Sequence, residues 1–192
     1  IFLVNLIISL RYILFENNDN YVLKKYLLEY IIYIMREIIY NRNLCLEYAK
    51  RYAYIRNPRY YNFDKIGGNC TNYASQCLFA GLPVMNYAPL GWYYNSASDR
   101  SPSWTSVESF CDFITTNTGV GPYGKIVELN KIEIGDFIQL ATNGDYFHTL
   151  VITDLSDGVK VCSNTIDSFM RPLNTYYYAN IRFIKILGGR SV

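Results

Sequence analysis

Cys70 stands in the run Gly67-Gly68-Asn69-Cys70-Thr71-Asn72, directly ahead of the helix-forming stretch YASQCLFA. A thiol at the mouth of a helix lies beside partly positive N-terminal amides, which favour the thiolate. The same amide N–H groups suit the oxyanion of a tetrahedral intermediate. The two glycines permit the close backbone approach that such a turn needs. The plain alternative is a thiol packed as a small hydrophobe. His148 is the chain's single histidine, so any imidazole base must be this residue. It opens a strand after the Asn143-Gly144 turn, at a sheet edge. There it is either a surface turn residue without a task or the group that takes the Cys70 proton and returns it to a leaving amine.

A third group should hold the imidazole in its useful tautomer. Asn164 ends the next expected strand, and Asp167 follows in the loop. In an antiparallel pair reversing near residue 157, positions 148 and 164 fall close to opposite each other. One residue of slip would turn a side chain to the other face. Asn164 is the first choice and Asp167 the second; loop capping is the alternative for both. Asn69 and Thr71 flank the thiol and are candidates for substrate contact. So are Asp167 and the aromatic group Trp92, Tyr93, Tyr94 and Trp104, which would line a cleft or else pack a loop-rich core.

The elements that must position these residues fall into two halves. The opening IFLVNLIISL is apolar but short of the roughly 20 residues of a spanning helix. It reads as a core helix, or as the tail of a clipped signal peptide or membrane anchor that brings the N-terminus to a membrane. The chain begins at Ile1 rather than Met, so a longer N-terminal region is expected upstream. The run YVLKKYLLEYIIYIMREIIY reads as a second helix. A third follows Asn43 and ends near Asn57-Pro58, where proline forbids continuation. After the Cys70 helix, another is expected over roughly residues 105 to 117. The stretches IGDFIQL, HTLVITDL, VKVCSN and NIRFIKIL are β-branched and aromatic runs of strand length. Short turns at Asn143-Gly144-Asp145 and Ser156-Asp157-Gly158 make the first three antiparallel. Helices followed by a meander predict an α+β fold, divided into an N-terminal helical segment (1–40) and a domain over 41–192.

Composition narrows the function classes. At 192 residues the chain supports one ordinary core. Net charge is +2, with no basic block, which argues against nucleic acid as a partner. Five cysteines form no C-x-x-C pair, and one histidine cannot build a His-rich site, so neither metal nor cofactor is expected. Asn69-Cys70-Thr71 also fits a glycosylation sequon, which burial at a helix start makes a false match.

Several separate stretches occur together in a set order: YNRNLCLEYAKRYAYIRNPRYYNFDKIGGNCTNYASQCLFAG, SPSWTSVESFCDFI, GPYGK, IGDFIQL, DYFHTLVITDL and SNTIDSFMRPLNTYYYANIRFIKI. Over about residues 40 to 187 the chain resembles the bacterial putative amidase domain family, whose members are similar to the papain-like NlpC and CHAP cell-wall cysteine hydrolases. The resemblance implies a papain-like fold, a nucleophile-bearing helix packed on an antiparallel sheet, Cys70 as nucleophile and His148 as base. It implies peptidoglycan peptides or amides as substrate and a secreted or wall-associated setting. Two positions depart from the family pattern: Asn69 stands where Asp is usual, and Asn164 where His is usual. A module that has lost catalysis through these changes, and binds wall or peptide ligands, is the competing expectation.

Overall fold

Asn41 caps the helix that opens the folded region, its side chain accepting from the Leu44 N–H at 3.1 Å, an interaction worth about 1 kcal/mol. A computed structural model describes residues 35–192, of which Glu37–Ser191 form one compact unit. The apolar opening stretch and most of the run 21–40 lie outside the described residues. The end of that run, expected as helix, is a short strand, β1 (Arg36–Ile38), hydrogen-bonded to the last strand of the sheet. Sheet pairing there outweighs helix periodicity. Helix α1 spans Arg42–Tyr52 and stops before the expected Asn57-Pro58. Asn57 instead shapes a turn, accepting from the Arg59 N–H at 3.0 Å.

Helix α2 (Cys70–Gly81) carries the thiol at its first position. The expected helix near 105–117 is two pieces, α3 (Pro102–Thr105) and α4 (Val107–Thr116). Ser106 is extended between them and caps α4 by accepting from the Ser109 N–H at 3.4 Å. Strands β2 (Gly121–Val127), β3 (Phe137–Thr142), β4 (Asp145–Asp154), β5 (Lys160–Ser163), β6 (Ser168–Pro172) and β7 (Asn180–Ser191) follow. Strands β2 and β6 are not among the expected strands; both carry residues that weaken strand character, Gly121, Pro122 and Gly124 in one and Pro172 in the other.

The sheet runs β1-β7-β3-β4-β5-β6, with β2 also on β7, and the pairings of β2 through β7 are antiparallel. The architecture is therefore α+β. Both faces of the sheet are covered. Phe137, Val151, Cys162, Ile184 and Ile186 pack against Tyr73, Cys77, Leu78 and Phe110 from the helices. Ile138, Leu140, Leu150, Ile152 and Val161 face the other way, onto Leu173, Tyr176 and Tyr178. Among the described residues no helix is long and apolar enough to cross a membrane.

One buried charge pair fastens α1 to the sheet. Asp136, fully buried, accepts from Arg42 Nη1 at 2.7 Å, the Ile186 N–H at 3.0 Å and the Glu133 N–H at 2.8 Å. Removing the carboxylate leaves two amides without an acceptor and takes from Arg42 its buried counter-charge. Asp136→Ala is expected to lower unfolding free energy by about 3–5 kcal/mol. Glu133→Ala, which removes a half-exposed partner of Arg42 and Lys185, should change it by about 1 kcal/mol or less. Urea unfolding of the two variants side by side reads the difference.

Candidate active site

The chain enters α2 through Gly67 and Gly68, at φ +84° and +98°, the left-handed region that glycine occupies without strain. A Cβ at Gly68 would also sit 3.3 Å from Thr165 Oγ1. Asn69 precedes the helix, but its side chain makes no cap bond. Its carbonyl accepts from the Tyr73 N–H at 2.9 Å. The first-turn amides of Cys70, Thr71 and Asn72 therefore lack intrahelical partners. Cys70 is 7% exposed, and its Sγ lies 3.8 Å from Thr71 Oγ1. Thr71 in turn sits 2.9 Å from Thr149 Oγ1 on β4.

Asn69 commits its side chain to other side chains and to a loop N–H instead of to the first-turn amides. Its Nδ2 donates to Asn164 Oδ1 at 3.1 Å, and its Oδ1 accepts from the Phe63 N–H at 3.2 Å and from Asn72 Nδ2 at 2.8 Å. Asn164 Nδ2 donates to the carbonyls of Tyr52 and Ala53 at 3.2 and 3.0 Å. Asn72 Nδ2 also reaches the Tyr61 carbonyl at 3.1 Å, while Asn72 Oδ1 accepts from Trp104 Nε1 at 2.9 Å. Asn69 and Asn164 are thus bonded directly to each other.

His148 stands apart from this group. It pairs with Leu140 in the β3–β4 register, and alternation gives it the face of Leu150 and Ile152. Thr149 and Val151 take the side facing α2. The imidazole lies against Phe147, with ring centroids 6.2 Å apart, and against Tyr176 at 6.0 Å. The Arg171 guanidinium lies over the Tyr176 ring at 3.9 Å. The ring's Nε2 is buried without a hydrogen-bond partner. The register explains the separation. Val151 opposes Cys162, which continues to place position 149, not 148, opposite 164.

The structure thus brings Asn69, Cys70, Thr71 and Asn164 together, and leaves His148 unbonded to any of them. Trp92 and Trp104 line no cleft. Both are fully buried, their indole N–H groups donating to Ser75 and Asn72. Large aromatic area with a single polar atom is satisfied in a core once that atom finds an acceptor. Asp167 pairs with Arg56 at 2.8 Å, and Arg56 also holds Asp64. Sequence reading missed Asn72, Thr149 and Thr165. Asn72 was within reach, being one helical turn from Asn69. Thr165, whose Oγ1 accepts from the Asn69 N–H at 2.7 Å, sits at φ +93°, a conformation that no local pattern announces.

Electrostatics separate the thiols and fix the state of the ring. Burial pushes Cys45 and Cys162 up to about 12 and Cys111 up to about 11, and raises Cys77 as well. These four stay protonated and inert. Burial, and then the positive charge of Arg171, lower His148 from 6.5 to about 4, so the folded protein holds it neutral at neutral pH. Unfolded chains take up this proton as pH falls through 6.5, and the folded protein does so only near 4. Stability is therefore full above 6.5 and drops across that window, by about 3 kcal/mol in all. Chemical unfolding between pH 7 and pH 4 should show this slope, and His148→Gln should reduce it.

A sequence profile described as "putative amidase domain" matches residues 39–187. The chain is similar to the uncharacterized protein YhbB of Bacillus subtilis (strain 168), 31% identical over 159 residues. That alignment covers 77% of this chain and 50% of the relative, so the chain spans about half the relative's length. No solved structure matches. Among the described residues no group of three or more His, Cys, Asp or Glu side chains is placed to hold a metal ion.

Proposed function

Since the chain belongs to the putative amidase domain family, we propose that it hydrolyses amide bonds by cysteine catalysis, with Cys70 as nucleophile. Amide hydrolysis is what the family description supports. The cysteine mechanism rests on one observation: Cys70 opens a twelve-residue helix whose first-turn amides carry no side-chain cap. All five cysteines are buried, and Cys70 is the most exposed of them.

The proposed chemistry begins with attack of the Cys70 sulfur on the amide carbonyl carbon. The carbonyl oxygen gains negative charge, which the free first-turn amides are oriented to stabilise. The C–N bond then breaks, the amine leaves with the thiol's proton, and water hydrolyses the thioester to regenerate the thiol. We assign the proton carrier to His148. It is the single histidine and is neutral near pH 7, and its Nε2 lacks a partner. In this structure the ring lies on the face away from α2, so reaching the thiol requires the start of β4 to shift and not only the side chain to turn. Peptidoglycan peptides are the proposed substrate class, on the motif resemblance to cell-wall hydrolases.

A second reading, a binding module without catalysis, is favoured by the resting position of His148 on the Leu140 face. Purified peptidoglycan and a small peptide amide, assayed for released amine, separate the two. For the enzyme, Cys70→Ser and His148→Gln should each lower kcat by about a thousandfold or more. Iodoacetamide at pH 7 should label Cys70 ahead of the other four thiols. Peptidoglycan that co-sediments with the protein while no amine is released from either substrate assigns the binding module. Turnover of the peptide amide alone keeps the cysteine mechanism and discards the wall substrate.

A further inference from the structure

The hydrogen bonds around Asn69 have a direction that chemistry alone determines. The carbonyls of Tyr52 and Ala53 can only accept, so the Asn164 group facing them is its Nδ2. Asn164 Oδ1 must then face Asn69, which answers with Nδ2 at 3.1 Å. Asn69 Oδ1 is left for the Phe63 N–H, which can only donate, and for Asn72 Nδ2. At the far end Trp104 Nε1–H, again only a donor, fixes Asn72 Oδ1. Indole, amide, amide, amide and backbone carbonyl are joined head to tail. Asn69, Asn72, Asn164 and Trp104 are each at most 2% exposed.

We infer that Asn69 and Asn164 are positioning residues for Cys70, a neutral amide relay that holds the mouth of α2, and that Asn164 does not orient the imidazole. Both Asn164 Nδ2 hydrogens go to backbone carbonyls, and its Oδ1 takes the Asn69 hydrogen, while His148 Nε2 has no partner. The relay acts on the residue next to the thiol. Asn69 is held at its side chain by Asn164 and Asn72, at its N–H by Thr165 and at its carbonyl by Tyr73. Thr71, on the other flank of Cys70, is held by Thr149. The thiol's α-carbon is clamped between two pinned neighbours.

The sense of the relay makes it intolerant of a lone charge. A carboxylate at 69 has no hydrogen for Asn164 Oδ1, and turning the Asn164 amide over would point its oxygen at two carbonyls. A donor at 164 that also reaches the Tyr52–Ala53 carbonyls, such as imidazole, would restore the match. The inference rests on the cysteine reading for its kinetic consequence only, since the geometry of the thiol can be read without a substrate.

Three variants test it: Asn69→Asp, Asn164→His and the double variant, each measured for peptide-amide turnover and for the iodoacetamide rate at Cys70. Asn69→Asp is expected to lower kcat by about tenfold to a hundredfold, with KM within about twofold, and to change the alkylation rate. The double variant should recover most of both. Circular dichroism and urea unfolding confirm that each variant is folded; for one that is not, Asn69→Ser, which keeps an O–H donor, takes its place with a smaller loss expected. Unchanged kcat and alkylation in Asn69→Asp overturn the relay. So does failure of the double variant to recover, or an Asn164→Ala variant that shifts the pH profile of kcat while leaving the alkylation rate unchanged, since that assigns Asn164 to the imidazole. If Cys70→Ser is as active as the unaltered protein, the cysteine reading falls, and the alkylation rates still decide the relay.

Discussion

The helix that carries Cys70 is buried along nearly its whole length, and such a helix must find an internal partner for every polar group it bears. Ten of the twelve residues Cys70–Gly81 are buried, and its polar side chains are not on a wetted stripe. Each is met by a particular group: Thr71 by Thr149, Asn72 by Asn69, Tyr61 and Trp104, Ser75 by Trp92, and Gln76 by Tyr48. An unmet polar atom in such surroundings costs about 1–3 kcal/mol, so these pairings fix the helix rotationally as well as in place. The tryptophans, the Asn69 turn and the start of β4 all take their positions from that requirement.

A nucleophile on this helix inherits the rigidity. The thiol stands at the one end of the helix where backbone amides are free, while the flanking side chains are committed elsewhere. The imidazole follows a different rule. It sits on a strand buried on both faces, and alternation delivers it to the side lined by Leu140 and Tyr176. Packing and register therefore settle the two groups independently, the thiol on the α2 side and the imidazole on the other. The rigidly held thiol and the unbonded imidazole are consequences of the same sheet, covered on one face by α2 and on the other by the loop after β6.

Much of the framework could be read from residue patterns, because the strands after residue 134 are β-branched runs between Asn-Gly and Asp-Gly turns. The helix start at Cys70 was equally legible, since Gly67-Gly68 and the apolar residues after it carry the signal locally. Legibility failed where long-range pairing decides. Gly121-Pro122 and Gly124 are poor strand residues, and only pairing with β7 makes β2 of them. The aromatic cluster reads equally as a cleft or a core until Ser75 and Asn72 are found bonded to the indoles. Asn164 reads as a partner for His148 until the Val151–Cys162 pair fixes the register one residue away. A slip of one reverses a strand's faces, and nothing in the local sequence measures it.

The site's charge state follows from these positions. Four thiols are held protonated by burial, the imidazole is held neutral by burial and by Arg171, and Asn69 and Asn164 are amides where acids and bases would titrate. A charge placed among groups so enclosed would require a partner or a displaced proton. The neighbourhood of Cys70 instead uses dipoles, the first-turn N–H groups and the aligned amides of the relay, which need no counter-ion and do not change with pH. An anion formed on a substrate oxygen at the helix mouth would then face preset donors. That is a coherent way to favour a tetrahedral intermediate over its neutral precursor, and it makes the fixed geometry of Asn69 matter as much as the reactivity of the thiol beside it.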